Sequence, residues 1–192
     1  RLDYVEKILD DATLQANIKG VGTQWECRNN LPQMRERYPH LRFMCSESEC
    51  GNGSMDWAAG EHTFFLLSDN LGNGVDEYYN WNFILTDHGE SPWGWRQNAL
   101  IQVDSHTRCL RYTAEYYAYK HFSHFVEPGT QMVAYAGREF SRTPIVVFRN
   151  AAGQHIVTAG NFTAEECVVN VKIGRRYLNM VLPAHSFSTY VM

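Results

Sequence analysis

The sequence predicts an α/β region over residues 1–129 followed by a small antiparallel all-β region over residues 130–192. Three observations carry that expectation. Up to Gly129, apolar spacings of three and four alternate with short β-branched and aromatic runs, in the order helix, strand, helix, strand, helix, strand, helix. That is the pattern of βα units on a parallel sheet or barrel. Beyond Gly129 the apolar runs are all short and separated by turns, as in an antiparallel β domain. Between the two, Glu127-Pro128-Gly129 breaks the helical periodicity.

In order along the chain, Val5, Ile8, Leu9, Ala12 and Ala16 share one apolar face and predict a single helix over residues 3–17. Residues 19–25 read as a strand whose two glycines admit close approach of another backbone or a ligand. A short helix is expected over residues 31–37, then a turn at Tyr38-Pro39-His40. Residues 41–46 form an apolar strand that runs into the polar segment Glu47-Ser48-Glu49-Cys50-Gly51-Asn52-Gly53. A helix over residues 57–70 is stopped by Gly72 and Gly74. Residues 77–86 have the β-branched and aromatic content of one buried strand, and a long loop is expected over residues 87–104. Ala114, Tyr117, Ala118, His121, Phe122 and Phe125 then fall at helical spacings within a helix over residues 112–125. Strands follow at residues 145–148, 155–159, 167–173, 177–182 and 187–191. In the third of these, Val169, Val171 and Ile173 alternate with Asn170 and Lys172, the period of a half-buried antiparallel strand.

Composition excludes several classes of function. The 17 basic and 21 acidic residues are spread along the chain, leaving no basic stripe for a phosphate backbone to follow, so no nucleic-acid partner is expected. No apolar run approaches the roughly 20 residues that span a bilayer, so no membrane span is expected. The start Arg1-Leu2-Asp3-Tyr4 is neither an initiator sequence nor a signal peptide, so the chain is expected to begin within a longer protein or to be processed. Secreted and cytoplasmic locations both stay open. Five cysteines (Cys27, Cys45, Cys50, Cys109, Cys167) cannot all pair, which argues against a disulfide scaffold, and none of their spacings is a zinc pattern. His121 and His124 stand three apart with no third ligand nearby, and no metal or other cofactor is expected. Asn52-Gly53-Ser54 and Asn161-Phe162-Thr163 fit the glycosylation sequon. Aromatic residues make up 14%, including eleven Tyr and five Trp, more than a core requires and suited to stacking on flat apolar faces such as those of sugars.

Glu47 stands at the polar end of an apolar strand, where barrel enzymes mount catalytic side chains. On bare sequence a single Glu at a strand end is more often a solvated or ion-paired group. Glu49, two residues on along the same strand, reads as a loop residue rather than a catalytic partner, because strand neighbours cannot stand on opposite sides of a bond being broken. Trp25, Trp81 and Trp95 are either sugar platforms or core residues; Gln24 and Asn98 are either donors to sugar hydroxyls or ties to loop backbone.

Four segments in order resemble glycoside hydrolase family 30. Phe43-Met44-Cys45-Ser46-Glu47-Ser48-Glu49-Cys50-Gly51-Asn52-Gly53 is similar to the family's nucleophile strand, with Ser46 where Thr is usual. Tyr79-Asn80-Trp81-Asn82 resembles the next barrel strand, whose Trp serves the glycone subsite. Ser91-Pro92-Trp93-Gly94-Trp95-Arg96-Gln97-Asn98 resembles the loop after it, and the segment from Lys120 to Gly129 resembles the closing helix. The resemblance implies the last three βα units of a (β/α)8 barrel over residues 1–129 and a small β-sandwich over residues 130–192. It implies a retaining β-glycosidase with Glu47 as nucleophile, no cofactor, and substrate contacts from Trp81, Trp25, Trp95, Gln24 and Asn98. The acid/base belongs to a barrel strand well upstream, so an N-terminal part completing the barrel is an expected partner. Without it, the strands are expected to expose an unpaired edge and an apolar inner face. Gln24-Trp25-Glu26 departs from the His-Trp-Tyr of the glucosylceramidase branch, and the resemblance is nearer to the β-1,6-glucanase and β-glucosidase branch; the implied substrate is a β-linked glucoside or glucan.

Overall fold

The computed structural model describes residues 2–137 and 141–192. The chain divides into two compact units, Arg1–Cys50 with Asp69–Trp81, and Gly51–Ser68 with Asn82–Met192.

The first unit opens with two helices, α1 (Leu2–Leu9) and α2 (Ala12–Gln15), where the periodicity predicts one. Asp11 restarts the helix: its Oδ1 accepts hydrogen bonds from the backbone N–H of Thr13 at 2.9 Å and of Leu14 at 3.1 Å. An Asp gains more as an N-cap than inside a helix, so the apolar face continues across a break. Strand β1 (Gly20–Gln24), a 3₁₀ helix (Trp25–Asn30), α3 (Leu31–Arg37), β2 (Arg42–Glu47) and β3 (Glu77–Tyr78) follow. Pro32 fits the first turn of α3, where no intrahelical N–H is needed.

Strands β1, β2 and β3 form a parallel sheet in that order. One face carries Phe43 and Cys45 and packs on Leu9, Leu31, Met34 and Tyr38 from the helices. The other face exposes Gly20, Gly22, Gln24, Arg42 and Ser46, with Met44 half-buried. The open face is thus mostly polar and small rather than the expected apolar one, because Phe43 and Cys45 of β2 alternate towards the helices and leave Met44 as the apolar side chain of this strand on the open side. The glycines act as their spacing implies: a Cβ on Gly20 would stand 2.7 Å from the Arg42 carbonyl oxygen, so the two backbones meet only without one.

Helix α4 (Trp57–Gly72) supplies residues to each unit and ends where Gly74 turns at φ 90°. The single strand expected over residues 77–86 is two: β3, and β4 (Ile84–Thr86) in another sheet. The residues between are bonded elsewhere, the Trp81 N–H to Ser48 Oγ at 2.9 Å and the Asn82 amide to the Asn98 carbonyl at 3.0 Å.

In the second unit, β4 pairs in parallel with β5 (Ile101–Val103), which pairs antiparallel with β6 (Leu110–Tyr112). The expected loop over residues 87–104 therefore contains a strand, and the expected helix over residues 112–125 is shorter, α5 (Ala114–Ser123), capped by Thr113. Gly129 turns the chain at φ 89°. Strands β7 (Gln131–Met132), β8 (Ile145–Arg149), β9 (His155–Asn161) and β12 (Ser186–Val191) make one antiparallel sheet in the order β12-β9-β8-β7. Strands β10 (Cys167–Ile173) and β11 (Arg176–Leu182) make a hairpin. Val147, Val157 and Ala159 of the first sheet share a core with Met180 and Leu182 of the hairpin.

A second core centres on Phe64, whose ring stacks on Phe187 at 4.8 Å and meets Phe122 at 5.1 Å. His121 joins it: its Nδ1 lies 2.9 Å from Thr189 Oγ1, and burial holds its pKa below the ordinary value. Among the described residues no group of three or more His, Cys, Asp or Glu is arranged to hold a metal, and all five cysteines are free. Asn161 of the second sequon is fully buried, its amide donating to the carbonyls of Glu165, Leu182 and Pro183. It is a structural amide closed to glycosylation in the folded chain. Among the described residues no helix is long and apolar enough to cross a membrane.

Candidate active site

Side chains of β2 alternate: Phe43 and Cys45 are buried, Arg42 and Ser46 exposed. Continued unbroken, that period would send Glu47 to the helix-packed face. A register shift prevents it, since Thr23 pairs with Cys45 but Gln24 pairs with Glu47, leaving Ser46 as the extra residue. Such a bulge re-aims the side chain that follows it. Glu47 comes into step with Gly20, Gly22 and Gln24 on the open face.

Two donors hold its carboxylate there. Gln24 Nε2 donates to Glu47 Oε2 at 3.2 Å, and Trp25 Nε1 donates to Oε1 at 3.0 Å. Trp25 reaches it because its backbone adopts φ 52°, a left-handed conformation that costs a non-glycine residue roughly 1–2 kcal/mol. Strain of this kind persists only where neighbours enforce it. The expected trio Glu47, Gln24 and Trp25 is therefore one hydrogen-bonded cluster. Trp81 is tied to the same strand, because buried Ser48 accepts from the Trp81 N–H at 2.9 Å and donates to Asn80 Oδ1 at 3.2 Å.

Trp25, Trp81 and Trp95 are 43%, 42% and 46% exposed, so none is a core side chain. Trp95 belongs to the second unit, on a tight loop closed by a bridge between Glu90 and Arg96 and by the Ser91 N–H bonding the Trp95 carbonyl at 2.9 Å. Trp93 stacks on Trp95 with ring centres 5.4 Å apart and is itself 74% exposed.

Asn98, read from sequence as a sugar contact or a tie to loop backbone, holds a loop in the folded chain. It is buried, its Oδ1 accepts from the Gly53 N–H at 2.6 Å, and its side chain also hydrogen-bonds Glu115. A Cβ on Gly51 would fall 2.4 Å from the Asn98 side chain, so this Asn is the post on which the Gly51–Gly53 turn is wound. Glu115 is buried as well, and burial pushes its carboxyl up to about 7 despite hydrogen bonds from Thr63 and Asn98.

Sequence reading passed over three residues: Ser48, Trp93 and Arg28. Arg28 Nη1 donates to the Trp25 carbonyl at 3.0 Å and to Glu49 Oε1 at 3.2 Å, so Glu49 is an ion-pair partner. The available signals were Trp93's place one residue from Trp95 and Arg28's place three residues after Trp25.

Over 98% of its length the chain is 22% identical to lysosomal acid glucosylceramidase of Mus musculus, of which it spans 39%. The solved structure of SrfJ from Salmonella typhimurium superposes with a TM-score of 0.89 at 22% identity, covering 100% of this chain and 44% of that one. The endo-β1,6-glucanase BT3312 superposes at 0.79 with 20% identity, covering 96% and 43%. The catalytic domain of the family 30 xylanase C from Talaromyces cellulolyticus superposes at 0.69 with 14% identity, covering 95% and 47%. The chain is similar to the C-terminal part of family 30 glycoside hydrolases. No protein-family model matches it. It thus spans about two fifths of the curated family 30-like relative and under half of each solved structure named. Likeness at these identities gives the family 30 fold, and its relatives are glycoside hydrolases.

Proposed function

We propose that this chain carries the nucleophile side of a retaining β-glycosidase site, with Glu47 as the nucleophile. The observation that supports it is the Glu47 carboxylate turned by a bulge onto the open face of a parallel sheet and fixed by the donors of Gln24 and Trp25. In this reading residues 1–129 are the last three βα units of a (β/α)8 barrel and residues 130–192 a small β-sandwich. An N-terminal part supplies the remaining barrel strands and the acid/base carboxyl. A Glu47 oxygen attacks the anomeric carbon while the bond to the glycosidic oxygen breaks and the acid/base protonates that oxygen. Water, deprotonated by the same residue, then displaces Glu47 and releases the sugar with retained configuration. Trp81 and Trp25 offer indole faces to the apolar side of the glycone, Trp95 is a further sugar platform, and Gln24 orients the nucleophile. Asn98 contributes through the turn it anchors. No step calls for a cofactor.

The preferred substrate is a β-1,6-glucan or simple β-glucoside. Gln24-Trp25-Glu26, with Gln24 bonded to Glu47 and Glu26 where the glucosylceramidase branch has Tyr, favours this branch over glucosylceramide, the substrate suggested by the name of the murine relative. The decisive test is covalent trapping with a 2-deoxy-2-fluoro-β-glucoside bearing an activated leaving group, on the chain alone and supplemented with an N-terminal half of a family 30 enzyme. A sugar adduct on the peptide containing Glu47, absent in Glu47→Gln, is expected. Labelling only in the supplemented sample assigns the rest of the site to the added half. An adduct on another carboxylate, or sugar binding without any adduct in the supplemented sample, overturns the nucleophile reading in favour of a non-catalytic carbohydrate-binding role.

A further inference from the structure

We infer that Arg28 is a positioning residue for the nucleophile, acting through the backbone and indole of Trp25; this rests on the role proposed for Glu47. Trp25 reaches Glu47 Oε1 only from its left-handed backbone conformation at φ 52°. The Arg28 guanidinium is what the structure provides to hold that conformation. Its Nη1 donates to the Trp25 carbonyl at 3.0 Å and to Glu49 Oε1 at 3.2 Å, while its Nε lies 3.3 Å from Asp69 Oδ2. Only 15% of the Arg28 side chain is exposed, so the pairs with Glu49 and Asp69 are shielded rather than free surface contacts.

Three features make this more than a general brace. First, the contact falls on the carbonyl of the very residue whose indole touches Glu47. Second, Arg28 lies in the 3₁₀ helix that Trp25 opens, so the carbonyl and the guanidinium are linked by a three-residue turn that cannot stretch. Third, Glu49 hydrogen-bonds the guanidinium and Asp69 pairs with its charge, both from outside the turn. The planar guanidinium hydrogen-bonds two acceptors through Nη1 while its Nε edge faces the charge of Asp69, whereas a lysine ammonium on a flexible stem offers a point charge. Glu49 and Asp69 orient Arg28, Arg28 fixes Trp25, and Trp25 orients Glu47.

The test follows the Trp25 indole N–H by heteronuclear NMR in the full chain labelled with ¹⁵N-tryptophan, which gives five indole signals for its five Trp. Trp25→Phe assigns the signal. The Trp25 indole resonance of the native chain is expected to depend on Glu47, shifting when Glu47→Gln is introduced. In Arg28→Gln that dependence is expected to disappear while the other four indole signals stay in place, and Arg28→Lys is expected not to restore it. In the supplemented enzyme, Arg28→Gln is expected to lower kcat about ten-fold with KM nearly unchanged, the mark of a lost transition-state contact. Should Arg28→Gln shift all five signals, Glu49→Gln replaces it, and the Trp25 signal alone must then respond. A Trp25 signal that still follows Glu47 in Arg28→Gln, or in Glu49→Gln where that variant is used, overturns the role of Arg28 and leaves the nucleophile reading intact. A native Trp25 signal that ignores Glu47 overturns the Trp25 link and with it the role of Arg28; trapping at Glu47 tests the nucleophile separately.

Discussion

Two groups of aromatic rings, one in each compact unit, are treated in opposite ways. In the first, Trp25 and Trp81 stay exposed beside a carboxylate on a polar sheet face, and Trp25 accepts a strained backbone to do so. In the second, Phe64, Phe122 and Phe187 close on one another, and Gly160 gives up its side chain because a Cβ there would meet the Phe64 ring at 3.1 Å. Burial measures what a ring contributes to stability, and costly exposure points to a task other than stability. The difference therefore separates residues whose loss should silence the site from residues whose loss should unfold the chain.

The largest effect expected is at Glu47. Glu47→Gln should cost about four orders of magnitude in turnover by the supplemented enzyme, in line with removal of other enzymic nucleophiles. A melting curve on the same variant should move little, because Glu47 lies on the open face; a large drop in Tm would make Glu47 a structural residue and erase the contrast. Phe64→Ala should do the reverse, destabilising the fold by about 3–5 kcal/mol through lost burial and a residual cavity. Chemical denaturation measures it, and a change below about 1 kcal/mol would show that the second unit does not depend on this cluster.

Glu115 offers a test by pH. An ordinary Glu releases its proton near 4.5, whereas buried Glu115 holds it up to about 7. Between those values the folded chain binds more protons than the unfolded one, so this group makes stability fall as pH rises through the window. Glu115→Gln is always neutral and removes that fall: measured stability should be little changed near pH 5 and higher by up to about 3 kcal/mol near pH 8. Equal effects at both pH values would mean that Glu115 is solvated. The smallest change belongs to Trp25→Phe, which keeps a ring but deletes one hydrogen bond to a carboxylate. About a ten-fold fall in turnover with an unchanged Tm is expected, and a Tm loss like that of Phe64→Ala would place Trp25 among the core residues.

Much of this was legible in the chain itself. Apolar spacing located α3 and β10 at their observed ends, and Glu47 could be singled out because a strand gives way there to a polar, glycine-rich run. Local chemistry misled where a residue had a better partner at a distance. Asp11 caps instead of continuing a helix, and the segment between Tyr78 and Ile84 gives its backbone and side chains to Ser48 and Asn98 instead of a strand ladder. Asn98 reads as a sugar donor or a tie to loop backbone, and no feature of residues 91–98 shows that Gly53 and Glu115 would engage it.

The sequence by itself determined which residues are apolar, which are glycine and where carboxylates follow strands, and these set the order of elements and the parallel pairing of β1, β2 and β3. Only the tertiary structure decided which way Glu47 points. Alternation along β2 assigns it to the buried face, and a one-residue bulge against β1 reverses that assignment. A register shift is a property of two strands, decided by how their side chains and backbones fit together, so neither strand's sequence contains it alone.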